Sequence, residues 1–278
     1  MVKKSKNRDK SRLLKYLGKS LTFILKLPYY YLRGAYNLGK KISIKSKESQ
    51  IKQKRALVKS NHEELKILYV IEGDYSDWID HVSRSDSQIG LILGARGSGK
   101  TAFGIKFLEN FHAKHNKTCF AIGFQKEEMP SWINAVSNIN EIKNNSIVLI
   151  DEGGILFNSR SSMSNANKLL SELLMIARHK NISILFISQN SSNLEINILR
   201  QADFLVLKPS SLLQKEFERK VIQKIYESTK EHFEKFKEHK GLTHIYSNKF
   251  RGFVNNPLPS FWKEGISKSF KQKLFQSF

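Results

Sequence analysis

A short apolar run, Ile89-Gly-Leu-Ile-Leu93, leads without a break into Gly94-Ala95-Arg96-Gly97-Ser98-Gly99-Lys100-Thr101, and that junction limits what the chain can fold into. An unalternating apolar run reads as a strand buried on both faces, the habit of parallel sheets covered by helices. The stretch after it matches G-x-x-x-x-G-K-[ST]. Glycines let the backbone wrap a phosphate chain with its N–H groups turned inward. The Lys100 ammonium reaches the β- and γ-phosphates, and the Thr101 hydroxyl is a ligand for Mg²⁺. A helical pattern follows, with Ala102 in its first turn and Phe103, Ile105, Phe107, Leu108 and Phe111 at helical spacings, so the positive end of a helix dipole faces the same anion. ATP and Mg²⁺ are the expected cofactors.

Further apolar runs follow. Thr118–Phe124 reads as a second strand, with Cys119 as a core residue rather than a nucleophile. Ser131–Ile142 carries Trp132, Ile133, Val136 and Ile139 and reads as a short helix or turn with its apolar side inward. Ser146–Glu152 is a hydrophobic strand ending in two acids, and α/β proteins place their ligands beyond the C-terminal ends of parallel strands. Asp151 there is expected to hold Mg²⁺, and Glu152 to orient or deprotonate an attacking water. Ser162–Lys180 is helical, with Leu169, Leu170, Leu173, Leu174, Ile176 and Ala177 on one side. Ile182–Ser188 is another strand, ending in Gln189 and Asn190. The Gln189 amide either contacts the γ-phosphate or the water, or satisfies loop backbone. Asp203–Leu207 is a further strand. This alternation predicts an α/β fold, a parallel sheet with helices on both faces.

Taken in order, Gly94–Thr101, Ile147–Glu152, Ala177-Arg-His179 and Phe186-Ile-Ser-Gln189 resemble the FtsK/HerA superfamily of ring-forming DNA-pumping ATPases. Arg-His, a strand ending in Ser-Gln, then Leu-Arg and another strand are similar to its zonula-occludens-toxin-like branch, found in filamentous phages and in archaeal viruses and plasmids. The resemblance spans residues 86–208. It implies a P-loop NTPase of the RecA/ASCE-like kind, in which Ile182–Ser188 lies between the phosphate-loop strand and the acidic strand and Gln189 is the sensor. It also implies a homo-oligomeric ring, a hexamer, acting on DNA, with an arginine finger offered to the neighbouring subunit. Arg178 matches that finger best, with Arg160 and Arg200 as rivals. Phage members of the branch carry a membrane-spanning segment after the ATPase part. No uncharged run here approaches the roughly 18–20 residues needed to span a bilayer, so a motor without that anchor is expected.

The formal charge is +22, and it is uneven: residues 1–60 hold 18 Lys+Arg against Asp9 and Glu48. Leu13, Leu14, Leu17, Leu21, Ile24 and Leu25 recur there at helical spacing among lysines, before Pro28. This extension reads as an arm packing on its own body, a nucleic-acid-binding arm, or an amphipathic helix on a membrane surface or capsid partner. After Pro209, Leu212 to about His239 reads as a long helical segment, Leu242–Val254 as strand, and the end as a helix rich in Lys and Phe.

The expected organisation is a basic extension (1–63), a P-loop ATPase core (64–210) and a C-terminal α+β subdomain packed on it (211–278). The expected activity is Mg²⁺-dependent ATP hydrolysis driving DNA translocation, in packaging or transfer of a viral or plasmid genome; the alternative is a membrane-associated assembly or export ATPase. A single cysteine excludes an intramolecular disulfide framework and points to the host cytoplasm, with membrane or virion as peripheral sites.

Overall fold

The computed structural model describes residues 33, 36–85, 87–153, 155, 163–263 and 265–266. The chain divides into two units, Met1–Lys54 and Arg55–Phe278. A helix, α1, runs through 36–57, and its side chains are exposed but for a half-buried Arg55. The apolar run of residues 13–25, Arg160 and the C-terminal Lys/Phe-rich stretch from 267 onward lie outside the described residues.

In the second unit the strands are β1 (Lys66–Gly73), β2 (Ile89–Leu93), β3 (Thr118–Ile122), β4 (Ile133–Val136), β5 (Ser146–Asp151), β6 (Ile182–Ile187), β7 (Phe204–Leu207), β8 (Leu242–Ser247) and β9 (Phe250–Asn255). The helices are α2 (Tyr75–Arg84), α3 (Lys100–His115), α4 (Met163–Lys180), α5 (Ile196–Arg200), α6 (Leu212–Phe217), α7 (Lys220–Ser228) and α8 (Lys230–Lys235). The described strands form one sheet of nine, ordered β1-β9-β8-β7-β2-β6-β5-β3-β4. The block from β7 to β4 is parallel, while β8, β9 and β1 add on antiparallel.

Side chains alternate across β2, and both faces are covered. Ile92 packs with Trp78 of α2 and Phe103, Phe107 and Phe111 of α3. Leu91 turns the other way, against Leu170, Leu173, Leu174 and Ala177 of α4. Burying each such side chain contributes about 1.5–3 kcal/mol, so a strand clothed on both sides shows no polar alternation. Leu93, on the Leu91 face, packs with Leu207 under Ile222, Tyr226 and Phe233. Cys119 is fully buried in β3, and burial pushes its thiol far up from the usual range; it is a core residue.

On α3, Lys106 and Glu109 are both fully buried and pair at 3.0 Å. Glu109 also accepts the backbone N–H groups of Asn61 (3.2 Å) and Ser260 (3.1 Å). One carboxylate thus fastens the segment entering β1 and the one leaving β9 to the phosphate-loop helix.

Three elements differ from the sequence reading. Residues 133–136 form β4, an edge strand parallel to β3, rather than a helix; a short apolar cluster with both two- and three-residue spacings fits either. The segment from Leu212 breaks into α6, α7 and α8; the first break falls where Glu218 and Arg219 bond Ser191, the second at Thr229. β1 and α2 are absent from that reading, although residues 67–71 are an apolar run and α2 is amphipathic behind its Asp74 cap; β8, β9 and β1 continue the core sheet itself.

Candidate functional site

β2 ends at Leu93, and the loop to α3 turns on three glycines in left-handed backbone: Gly94 at φ +143°, Gly97 at +79° and Gly99 at +88°. Such values are natural to glycine and strained for any other residue. A Cβ on Gly94 would stand 2.7 Å from the Cβ of Lys208, whereas one on Gly97 would meet open space. The loop is closed by Ala95 N–H donating to Pro209 O (3.0 Å) and Ser98 N–H donating to Ala95 O (3.2 Å). Arg96 is exposed, Ala102 is buried, and the Ser98 hydroxyl is buried without a hydrogen-bond partner.

The Lys100 ammonium folds over the loop and donates to Gly94 O (2.7 Å) and Ala95 O (2.8 Å). Burial lowers its pKa to about 8, opposed by the carboxylates of Asp151, Glu152 and Glu218. A desolvated cation above a helix N-terminus is a phosphate site in physical terms.

β6 lies between β2 and β5, pairing with both, so the acidic strand end sits one strand removed from the loop. Across that gap the Thr101 hydroxyl donates to Asp151 Oδ2 at 3.4 Å, and Asp151 Oδ1 accepts Gly153 N–H at 3.0 Å. Hydroxyl and carboxylate oxygens are hard donors that suit Mg²⁺, an ion that keeps waters and binds through few protein ligands plus phosphate. Among the described residues no three His, Cys, Asp or Glu gather as a metal cage.

Glu152 is only 4% exposed, and its Oε1 has no hydrogen-bond partner. Burial raises its pKa; the Ser188 hydroxyl, the Gln189 N–H and the Asn193 side chain partly offset that, and the Asp151 charge adds to it. A carboxylate held in this way is a stronger base than one in water.

The Gln189 side chain is exposed, and its main chain serves Glu152 and Gln214. Arg178 is exposed near the end of α4, in a cleft with Arg84, Ser85, Ser87 and Gln88. That is the N-terminal edge of the sheet, roughly 16 Å along β2 from the phosphate loop, so Arg178 stands away from its own loop. Arg200, at the end of α5, lies toward the same edge.

Sequence reasoning missed two residues here. Glu218, 4% exposed, accepts from Ser191 N–H at 2.7 Å and keeps its Oε1 unpartnered. Lys208 lies fully buried beneath the loop. Both follow the last core strand in segments without any local motif, and only the fold brings them in.

The family model described as Zonular occludens toxin (Zot) matches residues 124–207, from the end of β3 through Asp151, Glu152, α4, β6 and β7. No curated protein matches the chain. Among solved structures, similar chains include the DNA-packaging ATPase B204 from Sulfolobus turreted icosahedral virus, at 18% identity over 63% of this chain and 98% of that one, TM-score 0.41. The genome packaging NTPase B204 from Sulfolobus turreted icosahedral virus 2, in complex with AMPPCP, matches at 16% identity over 63% of this chain and 100% of that one, TM-score 0.42. ATPases 2 and 3 of EssC from Geobacillus thermodenitrificans match at 10% identity over 80% of this chain and 52% of that one, TM-score 0.38. The Zot match runs through the acidic strand and the strand inserted beside it, on the sheet that also carries the phosphate loop, so this part of the chain is similar to the Zot family.

Proposed function

We propose that the protein hydrolyses ATP with Mg²⁺ and uses the cycle to move DNA, as a ring of identical subunits, in packaging or transfer of a viral or plasmid genome. The observation that carries the reading is the Thr101–Asp151 contact at 3.4 Å with the buried, half-unpartnered Glu152 beside it. Lys100 exchanges its two carbonyl contacts for phosphate oxygens. Thr101 and Asp151 would hold Mg²⁺, which when bound supplies charge neutralisation at the phosphates. Glu152 Oε1 takes the proton of the water that attacks the terminal phosphorus. Arg178, remote from its own loop, acts only toward a neighbouring subunit's nucleotide.

DNA is favoured as the moved substrate by the Zot-like core together with 18 Lys+Arg in the first 60 residues, since such an arm gains affinity by releasing phosphate counterions. The test is ATP turnover by the full-length protein alone, with double-stranded DNA and with anionic liposomes, across a salt series. DNA stimulation that fades with salt and vanishes in Lys100→Ala supports the translocase. Stimulation by liposomes alone supports the membrane-associated export ATPase instead. Indifference to DNA sinks the translocase reading.

A further inference from the structure

Lys208 follows β7 directly and is fully buried. Its N–H donates to Leu93 O at 2.8 Å, extending the β2–β7 ladder, and its carbonyl accepts the Tyr226 hydroxyl at 2.9 Å. The side chain runs under the phosphate loop. A Cβ built on Gly94 would lie 2.7 Å from Lys208 Cβ, and one on Gly99 would lie 3.5 Å from Cε and 3.7 Å from Nζ. Gly99 is the N-cap of α3, so this ammonium sits near the positive end of the helix dipole and close to Lys100.

Its three contacts among the described residues are neutral oxygens: Thr243 Oγ1 (2.7 Å), Asn256 Oδ1 (2.7 Å) and Gly241 O (3.2 Å). All three act as acceptors. Asn256 Nδ2 donates to Pro257 O at 3.2 Å, which leaves Oδ1 facing the lysine. Thr243 gives its own hydrogen to Gly241 O (2.9 Å) or Asn256 Oδ1 (3.0 Å), so its oxygen receives from Lys208. With Thr243 so turned, three acceptors face three donor hydrogens, which only the ammonium form carries; a neutral amine would need the Thr243 hydroxyl turned toward it instead. Burial and the Lys100 charge oppose that form, lowering the pKa to about 7. The hydrogen bonds ask for a cation where burial, a helix terminus and a second lysine disfavour one. An anion on the other side of the loop resolves the conflict.

We propose that Lys208 is a second cation of the phosphate site, a positioning residue that acts through the loop without touching the nucleotide and is held there by β8 and the residues flanking the β8–β9 hairpin. The proposal rests on the nucleotide-binding reading above and deepens it. Loss of this charge is expected to weaken ATP binding about tenfold, the scale of one unit charge acting across a partly screened interior.

The test is ATP affinity by calorimetry and the nucleotide-free melting temperature, for full-length wild type, Lys100→Ala, Lys208→Met and Asn256→Asp. Lys208→Met is expected to bind ATP about tenfold more weakly while melting within a few degrees of wild type, because losing a buried charge offsets the three acceptors it leaves without that donor. Asn256→Asp gives Lys208 a carboxylate of nearly unchanged shape; it is expected to weaken ATP in the same direction while holding or raising the melting temperature. A purely structural lysine would not separate the two readouts. Should Lys208→Met fail to fold, Asn256→Asp decides by itself. Either folded variant binding ATP within twofold of wild type overturns the proposal. Wild type that binds no ATP overturns the nucleotide reading instead, and binding that is lost in Lys100→Ala shows that reading intact whatever Lys208 does.

Discussion

The hydroxyl of Thr101 and the carboxylate of Asp151 meet at 3.4 Å although β2, whose loop leads to Thr101, and β5, which ends at Asp151, are not neighbours; β6 lies between them. The contact joins the phosphate loop to the acidic strand end, and it depends on α3 starting at Lys100 so that Thr101 faces across the sheet edge. Asp151→Asn or Thr101→Val is expected to leave the fold intact and to cut Mg²⁺-dependent hydrolysis by about 100-fold, since several kcal/mol of transition-state charge stabilisation is at stake. Steady-state turnover across a magnesium titration checks this; a variant retaining wild-type turnover at every magnesium level would refute it.

Glu152→Gln is expected to hold ATP with affinity within about twofold of wild type while turnover falls by about 10²–10⁴, the usual worth of a general base. Single-turnover kinetics with separately measured binding distinguishes this from a loss of affinity. Equal losses in binding and turnover would place Glu152 in the ground-state site rather than at the proton.

The glycines of the loop differ in what surrounds them. Gly94→Ala brings a Cβ to 2.7 Å from the Cβ of Lys208 and 2.9 Å from its carbonyl oxygen, at φ +143°. Gly97→Ala, at φ +79°, meets nothing within 4 Å. The second should lower stability by about 1–2 kcal/mol from backbone strain alone, and the first by appreciably more, with loss of ATP binding. Denaturant melts of both variants check the order; equal costs would show that the loop relaxes freely.

The Lys106–Glu109 pair sits in the core of α3 with both side chains at most 1% exposed. Glu109→Ala leaves the buried Lys106 ammonium with only the half-exposed Glu63 carboxylate at 3.5 Å and frees Asn61 and Ser260, which should lower stability toward the lower end of about 3–5 kcal/mol. The double variant Lys106→Met/Glu109→Leu should recover much of that. Chemical denaturation of the single and double variants gives the answer, and a double variant as unstable as the single one would mean the hydrogen bonds outweigh the charge.

His244 stacks on Phe253 with ring centroids 4.7 Å apart, and neither ring nitrogen has a partner. Burial, helped by the His232 charge, lowers its pKa to about 4. The unfolded chain therefore takes up the proton first as pH falls through the window from 6.5 to about 4. The neutral ring's contribution is complete above that window and is lost on descending through it, by up to about 3 kcal/mol. His244→Phe should flatten this acid branch, read as the difference between wild-type and variant melting curves at pH 7, 5.5 and 4.5. A constant difference would put the acid sensitivity elsewhere.

How much the sequence discloses depends on what holds each element. β2, β5 and β6 are packed on both faces, so their apolar runs declare them, and the phosphate loop and Asp151-Glu152 are local in sequence and readable as motifs. β1 is different: its run at residues 67–71 is as apolar as theirs, yet apart from Leu68 its side chains are exposed and hydrogen bonds to β9 hold it, so apolarity there does not report burial. Lys208 and Glu218 reach the site through partners as far as 48 and 27 residues away in sequence, contacts that no spacing rule encodes. The breaks at Glu218 and Thr229 were hidden for a related reason: Phe217, Val221, Ile225 and Phe233 keep helical spacing across them, while at the first of them long-range bonds to Ser191 turn the chain.

The sheet order also sets a timetable. Among the described strands β1 is the first to leave the ribosome, yet it pairs only with β9, the last of them, with Lys66 opposite Asn255 and Gly73 opposite Phe250. During synthesis the parallel strands from β2 to β7 can assemble while β1 waits with its backbone unpaired, and loop closure over so long a separation is slow. The antiparallel edge of the sheet is therefore completed only when nearly all of the described chain exists, after the strands that flank the phosphate loop have met.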